Sequence, residues 1–220
     1  LDWATDGNSA EAPPILGSDG FIYGTTVSGG GEGCSGVAYR TDTLGNFTPL
    51  HAFCGMEGTT PTGLVQAEDG YFYGATAYGG NYGLGTVFRM DASGEMVVLH
   101  SFSGADGSNP ATTSTPIQAS DGLLYGLTEH GGEWGQGTIY SIDTAGHLTT
   151  LHSFGKGAGV DPTGALLEAS DGFLYGVTRY SLSSGTRGTV FRVSTSGDLT
   201  ELHTFTSEEG DDLYTGTMIQ

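Results

Sequence analysis

An eight-residue segment that recurs four times constrains the fold more than any other feature of this 220-residue chain. Its copies begin at Asp19, Asp69, Asp121 and Asp171, so successive copies are 50, 52 and 50 residues apart. Each copy has the form Asp-Gly-x-apolar-Tyr-Gly-x-Thr. Self-similarity at such a period indicates one structural unit that is copied along the chain.

Each repeat predicts four short antiparallel strands and no helix. In the second repeat the strands are predicted at 64–67, 71–73, 86–89 and 96–100, separated by Gly, Asp, Asn and Ser turns. No segment has an apolar period of 3.6 residues long enough for a helix. A parallel β-helix needs shorter rungs, and tandem β-sandwiches need about twice this repeat length. We therefore predict an all-β fold, a β-propeller of four-stranded antiparallel blades.

The repeats divide the chain into four complete units and a partial unit at each end. The approximate boundaries are 4–53, 54–102, 103–154 and 155–205, followed by a partial repeat at 206–220. Residues 214–220, from Tyr214 to Gln220, resemble the first strand of a repeat at 61–66. We expect one propeller or propeller segment, completed by further chain or by a neighbouring chain that pairs with Tyr214 to Gln220.

The charge balance excludes two classes of partner. Six Lys and Arg face 25 Asp and Glu, which gives a formal net charge of −19. Phosphate backbones and anionic membrane surfaces would be repelled, so nucleic acid is not an expected partner. No run of about 18 apolar residues occurs, so membrane insertion is not expected either.

Cys34 and Cys54 each lie ten residues from Leu44, the centre of a predicted hairpin. This spacing allows the two side chains to face each other across two strands, and we predict a disulfide over two unpaired core thiols. A bridge across such a loop contributes about 3 kcal/mol and implies an oxidising compartment. No CxxC motif or second cysteine cluster accompanies the pair, so a metal site is disfavoured.

Three linked motifs carry a resemblance to a known family. They are D-G-x-[LF]-Y-G-x-T, then G-G-x-x-G-x-G-T-[VI]-[FY], then L-H-x-F, and they cover essentially the whole chain. This pattern resembles the bacterial extracellular "GloVer" tandem repeats of surface proteins. The resemblance implies a secreted or cell-surface location and no particular reaction. The first repeat departs from the pattern at 32–37 and the fourth at 181–184, so the loops between second and third strands differ.

Residues that recur in every repeat are expected to support the blade. His51, His100, His152 and His203 belong to the Leu-His-x-Phe motif, and a period of two puts each His and Phe on one strand face. The recurring Tyr residues are expected between blades. Asp before Gly in a tight turn is expected to accept hydrogen bonds from backbone amides. No cofactor and no metal site are predicted. Lone Asp-Gly turns do not show the six converging oxygens that Ca²⁺ needs, although the sequence leaves Ca²⁺ binding open.

Residues that differ between repeats are the better candidates for ligand binding. In a propeller, the loops between second and third strands and the connections from fourth to first strands emerge on one face. Aromatic rings there can cover the apolar faces of sugars, while polar groups bond their hydroxyls. Trp134 is the first choice, because the glycines around it leave no obvious role in a core. The candidates are Tyr78, Tyr82, His130, Trp134, Arg179, Tyr180, Arg187, Asp106 and Asp161.

The sequence favours an extracellular binding module that recognises carbohydrate or a protein partner through this loop-rich face. A polysaccharide-active enzyme, a lyase or a glycoside hydrolase, is the second hypothesis, since paired carboxylates could support it. Against it, the chain has no Gly-x-Ser-x-Gly, HExxH or phosphate-loop motif. A structural or assembly module of a surface protein or filament is the third hypothesis.

Overall fold

A computed structural model describes residues 7–155, 159–181 and 186–209. Within these ranges the chain forms seventeen β-strands, one short 3-10 turn at Gly55–Glu57, and no α-helix. No helix in the described part is long and apolar enough to cross a membrane. The all-β prediction is confirmed.

The strands form four separate antiparallel sheets, one for each repeat. The first sheet contains β1 (Ile15–Leu16), β2 (Ile22–Thr26), β3 (Cys34–Thr41) and β4 (Phe47–Cys54). In the second sheet, two short strands pair with the same neighbour. Its strands are β5 (Thr59–Pro61), β6 (Val65–Gln66), β7 (Phe72–Tyr78), β8 (Thr86–Met90) and β9 (Met96–Ser101), with β5 and β6 both against β7.

The third and fourth sheets repeat this order. The third contains β10 (Ile117–Gln118), β11 (Leu124–Thr128), β12 (Thr138–Ile142) and β13 (Leu148–Ser153). The fourth contains β14 (Gly159–Glu168), β15 (Leu174–Ser181), β16 (Thr186–Val193) and β17 (Leu199–Thr206). Each sheet therefore runs from an inner first strand to an outer fourth strand, which confirms the predicted four-stranded blade.

The outer strand pair is irregular at one equivalent place in every sheet. The register between third and fourth strands shifts once within each of four dipeptides, Ala38/Tyr39, Val87/Phe88, Ile139/Tyr140 and Val190/Phe191. A bulge increases the local right-handed twist of a strand. The four sheets thus share one twisted shape, which lets each pack against the next in the same way.

The apolar core lies between successive sheets. Tyr23 and Phe53 of the first sheet pack with Phe72 and Phe88 of the second, and all four side chains are fully buried. Equivalent clusters join the second sheet to the third and the third to the fourth. The recurring Tyr and closing Phe residues of the first three sheets fill these interfaces, as expected, whereas Tyr175 and Phe205 of the fourth sheet are partly exposed and belong to none of the three clusters.

The Asp-Gly turns make the same two hydrogen bonds in all four sheets. Asp121 accepts the backbone N–H of Leu123 at 3.0 Å and the hydroxyl of Tyr125 at 2.6 Å. The equivalent Asp–Tyr hydrogen bonds measure 2.7, 2.7 and 2.8 Å. The glycine that follows each Asp has a φ between 79° and 87°, a conformation that favours glycine. We call the end of the sheets that carries these turns the turn face.

The predicted disulfide is present. Cys34 and Cys54 are directly opposite each other in the β3–β4 register, with their Cα atoms 4.1 Å apart and a bond between their sulfurs. The bridge closes a 20-residue segment at the end of the sheet opposite the turn face. No other cysteine occurs in the chain.

Candidate functional site

The second strand of each sheet ends at the face opposite the turns, which we call the loop face. Directly after the Thr of the recurring segment stand Val27, Ala77, Glu129 and Arg179, one in each repeat. The side chains of Glu129 and Arg179 meet across two sheets, with Oε1 and Nη1 2.8 Å apart. Both are largely shielded from solvent, with side chains 22% and 19% exposed. A varied repeat position therefore supplies a charge pair at the loop face.

The Glu129–Arg179 pair borders a pocket to which all four sheets or their inner connections contribute. The pocket has a volume of about 340 Å³, within the range of about 300–1,000 Å³ typical of small-molecule sites. Carboxylate, guanidinium, amide, hydroxyl and phenol groups all reach its wall. The lining residues are Glu11, Thr60, Ala77, Tyr78, Asn109, Pro110, Ala111, Thr112, Thr113, Glu129 and Arg179.

An unusual backbone conformation occurs in the inner strands or in the connections that precede them. Ser9, Thr60, Asn109 and Asp161 have φ values of 59°, 57°, 53° and 54°, and they occupy equivalent positions in the four repeats. Such a conformation is uncommon for residues other than glycine and costs of order 1–3 kcal/mol at a residue such as Thr. Two of the four, Thr60 and Asn109, line the pocket. Because the conformation recurs in every repeat, it is part of the shared geometry of the sheets and does not by itself mark a ligand site.

Polar contacts fix the pocket wall. Glu11 accepts a hydrogen bond from the Thr112 hydroxyl at 2.5 Å, which joins the connections of the first and third sheets. The Asn109 side-chain amide donates to the carbonyl oxygen of Ala77 at 3.0 Å, which joins the third sheet to the second. These contacts hold acidic and amide groups in fixed positions around the cavity.

Asp161 lies beside the charge pair on the same face. Its carboxylate is 3.8 Å from Nδ1 of His130. Burial raises the pKa of Asp161; the positive charges of His130 and Arg179 oppose this effect, and Glu129 adds to it, so that the pKa lies above its ordinary value. Asp161 therefore holds a proton more readily than an ordinary Asp does, next to the Glu129 carboxylate that Arg179 stabilises.

Four of the nine sequence candidates lie at or beside the pocket. Tyr78 and Arg179 line it, and His130 and Asp161 adjoin Glu129 and Arg179. Tyr78 is 54% exposed, so its ring is available to a ligand. Tyr180 follows Arg179 and is 37% exposed, and Arg187 lies in β16; neither contributes to the pocket lining.

Tyr82 and Trp134 occupy equivalent positions in the loops of the second and third sheets, away from the pocket lining. They are 65% and 40% exposed. Trp134 packs over Gly155, because a Cβ added to that glycine would lie 2.5 Å from Cβ and Cγ of the tryptophan. The ring of Trp134 therefore has a packing role on the connection that follows the third sheet, beside any role in binding.

Asp106 has strong local partners. It accepts hydrogen bonds from His100 at 2.7 Å and from the backbone N–H of Ser103 at 2.8 Å. Two other repeats have a similar pair six residues apart, His51–Glu57 at 3.2 Å and His203–Glu209 at 3.4 Å. This recurrence indicates that the pair anchors the connection after the fourth strand.

Sequence reasoning missed several residues of the pocket wall. Glu11, Thr60, Asn109 and Thr112 belong to inner strands or their connections, whereas most of the predicted candidates follow the second strands. Glu129 could have been predicted from the sequence, since it occupies the same repeat position as Arg179 and has the opposite charge. Ca²⁺ was left open by the sequence, and the described residues contain no group of three or more His, Cys, Asp or Glu arranged to hold a metal ion.

Comparison with known proteins identifies both the repeat and the architecture. A sequence model of the Gloeobacter/Verrucomicrobia repeat matches residues 2–116 and again 111–220. Among proteins of curated function, none matches the chain significantly.

Several solved structures share the fold. A protein provisionally named a gluconolactonase superposes with a TM-score of 0.58 at 15% identity, over 94% of this chain and 78% of that one. A gluconolactonase from Xanthomonas campestris gives 0.51 at 12% identity, over 92% and 78%. A sucrose-6-phosphate hydrolase from Lactobacillus gasseri gives 0.52 at 12% identity, over 91% and 50%. At such identities the likeness shows the fold alone, and the predicted β-propeller architecture is confirmed.

Proposed function

The chain belongs to the Gloeobacter/Verrucomicrobia repeat family, and from this premise we propose that it is an extracellular module that binds carbohydrate in the loop-face pocket. The observation that carries the proposal is the Glu129–Arg179 pair, which two repeats supply from one equivalent position to the wall of a cavity of about 340 Å³. A charge pair in a half-sheltered cavity offers both acceptors and donors, which is what vicinal sugar hydroxyls require.

The other lining groups fit the same ligand class. The Tyr78 ring, 54% exposed, can cover the C–H face of a sugar, and Asn109, Thr112 and Thr113 offer further polar atoms. Two carboxyl groups, those of Glu11 and Glu129, line the pocket with one guanidinium, and the Asp161 carboxyl group lies near the Glu129–Arg179 pair. This balance favours neutral sugars over uronic acids or sugar phosphates, since like charges in a sheltered site repel.

Two further facts support the setting. The Cys34–Cys54 disulfide is typical of oxidising compartments, and the net charge of −19 suits a soluble surface protein. Two proteins of the same architecture are named for sugar-derived substrates, a gluconolactonase and a sucrose-6-phosphate hydrolase. Their names support carbohydrate as the ligand class of the proposal and say nothing of the reaction.

A panel of neutral, amino and acidic oligosaccharides tests the proposal, with affinities measured by calorimetry. Binding of a neutral glycan is expected, weakened about tenfold or more by Arg179→Ala, since a hydrogen bond to a charged group contributes about 1.5–3 kcal/mol. Arg192→Ala is the matched control, because Arg192 lies over the Phe173 ring near the turn face of the same sheet. Absence of glycan binding, or equal weakening by both variants, would contradict the proposal.

A hydrolytic enzyme is the second candidate, and the environment of Asp161 favours it. Burial raises the pKa of this carboxyl group, Glu129 nearby is paired with Arg179, and a carboxyl group that keeps its proton can act as a general acid. Release of reducing ends from a bound glycan, abolished in Asp161→Asn with binding retained, would establish this function. Binding without any product leaves the module as a binder.

A further inference from the structure

The three interfaces between sheets are built from one set of repeat positions. The face of each sheet that meets the next sheet, here called its front face, presents the recurring Tyr, an aliphatic residue of the third strand and the closing Phe. In the first three sheets all nine side chains are at most 1% exposed. They are Tyr23, Ala38 and Phe53, then Tyr73, Val87 and Phe102, then Tyr125, Ile139 and Phe154.

The front face of the fourth sheet has the same residues without the same cover. Tyr175, Val190 and Phe205 occupy these positions, and each is partly exposed. Leu202, on the same outer strand, is 47% exposed. Among the described residues no fifth sheet covers this face. The front face is therefore buried in the first three sheets and partly exposed to solvent in the fourth.

A hydrogen bond also recurs at each internal interface, near the turn face. The backbone N–H of Ser18 donates to Gln66 Oε1, that of Glu68 to Gln118 Oε1, and that of Ser120 to Glu168 Oε2, each at 2.8 Å. Each acceptor ends the inner strand of the following sheet. The equivalent amide on the fourth sheet belongs to Ser170, and the sequence places Gln220 fifty residues after it, as Gln118 follows Glu68.

The segment that ends at Gln220 also matches an inner strand in its other positions. Thr-Gly-Thr-Met-Ile-Gln at 215–220 aligns without a gap to Thr-Gly-Ala-Leu-Leu-Glu at 163–168. In the latter, Leu166 is 3% exposed and packs against the front face of the third sheet. Met218 stands at the position of Leu166. The connection also has the right length, since nine residues lie between Phe205 and Thr215 and eight lie between Phe154 and Thr163.

We propose that the front face of the fourth sheet is the docking surface for residues 215–220 of the same chain, a segment in which Met218 is the sequence equivalent of Leu166 and Gln220 that of Glu168. The segment lies outside the described residues, so the inference rests on the exposed face and on the three internal interfaces that share its pattern. It is independent of the carbohydrate pocket, whose lining includes none of Tyr175, Val190 and Phe205.

Hydrogen exchange at the Ser170 amide, measured by NMR on the whole chain, tests the proposal. Slow exchange is expected in the wild type, as at Ser18, Glu68 and Ser120. Gln220→Ala is expected to accelerate exchange at Ser170 about tenfold or more while the other three amides keep their rates. Gln118→Ala is the matched control and is expected to act on Glu68 instead.

Met218→Glu gives a second measurement that does not depend on the hydrogen bond. A charge at that position would disfavour burial of the whole segment. The exchange rate at Ser170 and the exposure of the front face of the fourth sheet to a soluble fluorescence quencher should then both rise. Fast exchange at Ser170 in the wild type would overturn the proposal, as would protection that neither variant changes. Protection that disappears on dilution would assign the face to a second copy and would likewise overturn docking within one chain.

Discussion

At the turn face, Asp121 and its three equivalents make the same two hydrogen bonds in every sheet, whereas at the loop face the position after the recurring Thr is Val27, Ala77, Glu129 or Arg179. The turn-face carboxylates bond to groups of their own sheet. The loop-face pair joins two sheets beside a cavity. A residue copied in every repeat is thus explained by the sheet that it supports, and a residue that breaks the repeat needs another explanation.

One contact near the turn face is present in three of the four sheets, and it too is explained by the sheet that contains it. An Arg of the third strand lies over an aromatic ring in three sheets: Arg40 over Phe21 at 4.7 Å, Arg89 over Tyr71 at 4.5 Å and Arg192 over Phe173 at 4.7 Å. In the third sheet both partners are replaced, by Leu123 and Ser141. A pair that changes together is a local contact of the sheet and gives no indication of a ligand.

The largest effect on stability is expected from the disulfide, a structural feature of the first repeat that the other repeats do not share. Replacing both Cys34 and Cys54 by Ser should lower the free energy of unfolding by about 3 kcal/mol, since the bridge closes a 20-residue segment. Urea unfolding of the double variant, with the reduced wild type as the control, measures the loss. An unchanged midpoint would show that the bridge does not constrain the unfolded chain.

Asp121→Ala should destabilise the protein by about 1.5–3 kcal/mol, because it removes a charged acceptor from the Tyr125 hydroxyl and the Leu123 amide. Asp171→Ala is the matched control. Its partner Tyr175 is partly exposed, so water can replace part of the lost contact and a smaller loss is expected. Equal losses in the two variants would contradict the role of the sheet interface in strengthening this hydrogen bond.

Asp106 should make stability depend on pH in the acid range. Burial raises the pKa of Asp106, but hydrogen bonds from Ser103 and His100 outweigh it, and the pKa lies below the ordinary value of 3.8. A carboxyl group with a lowered pKa stabilises the fold above its unfolded pKa and loses that contribution as pH falls through its folded pKa. The melting temperature should therefore decrease as the pH is lowered below about 4. Asp106→Asn should flatten this decline, and an unaltered decline would contradict the assignment.

The smallest effect is expected from Tyr71→Leu, which copies the residue of the third sheet. The change removes the ring under Arg89, a contact of about 0.5–1 kcal/mol at an exposed site. Chemical denaturation should show a loss of that size. A loss above about 2 kcal/mol would mean that Tyr71 belongs to the core and that the pair is more than a surface contact.

The sequence predicts the sheets well and the pocket poorly, for one physical reason. Four copies of one pattern average out local ambiguity, so strand order, turns and the Cys34–Cys54 bridge follow from spacing. The pocket depends on which inner-strand residues turn their side chains to the cavity, and the left-handed backbone at Thr60 and Asn109 leaves no mark in propensity. Glu11 and Thr112 meet only because two sheets bring their connections together.

The sequence indicates which end of the sheets the candidate residues occupy better than it indicates whether they bind a ligand. Tyr78 and Arg179 line the pocket, but Trp134 covers Gly155, and Asp106 is engaged by His100. An aromatic residue between glycines can fill the space that the glycines leave, so the glycine spacing around Trp134 does not separate packing from binding. The opposite charges of Glu129 and Arg179 at one repeat position are the more informative sequence signal.

The most direct test of the account measures glycan affinity and unfolding free energy together for Asp121→Ala and Arg179→Ala. We expect Asp121→Ala to lower stability and leave the dissociation constant unchanged. Arg179→Ala should weaken binding about tenfold or more, and it should also lower stability by about 1–3 kcal/mol, because it leaves the largely shielded Glu129 carboxylate without its partner. The reverse pattern, affinity lost at the turn face and kept at the loop face, would contradict the claim that residues breaking the repeat bind the ligand.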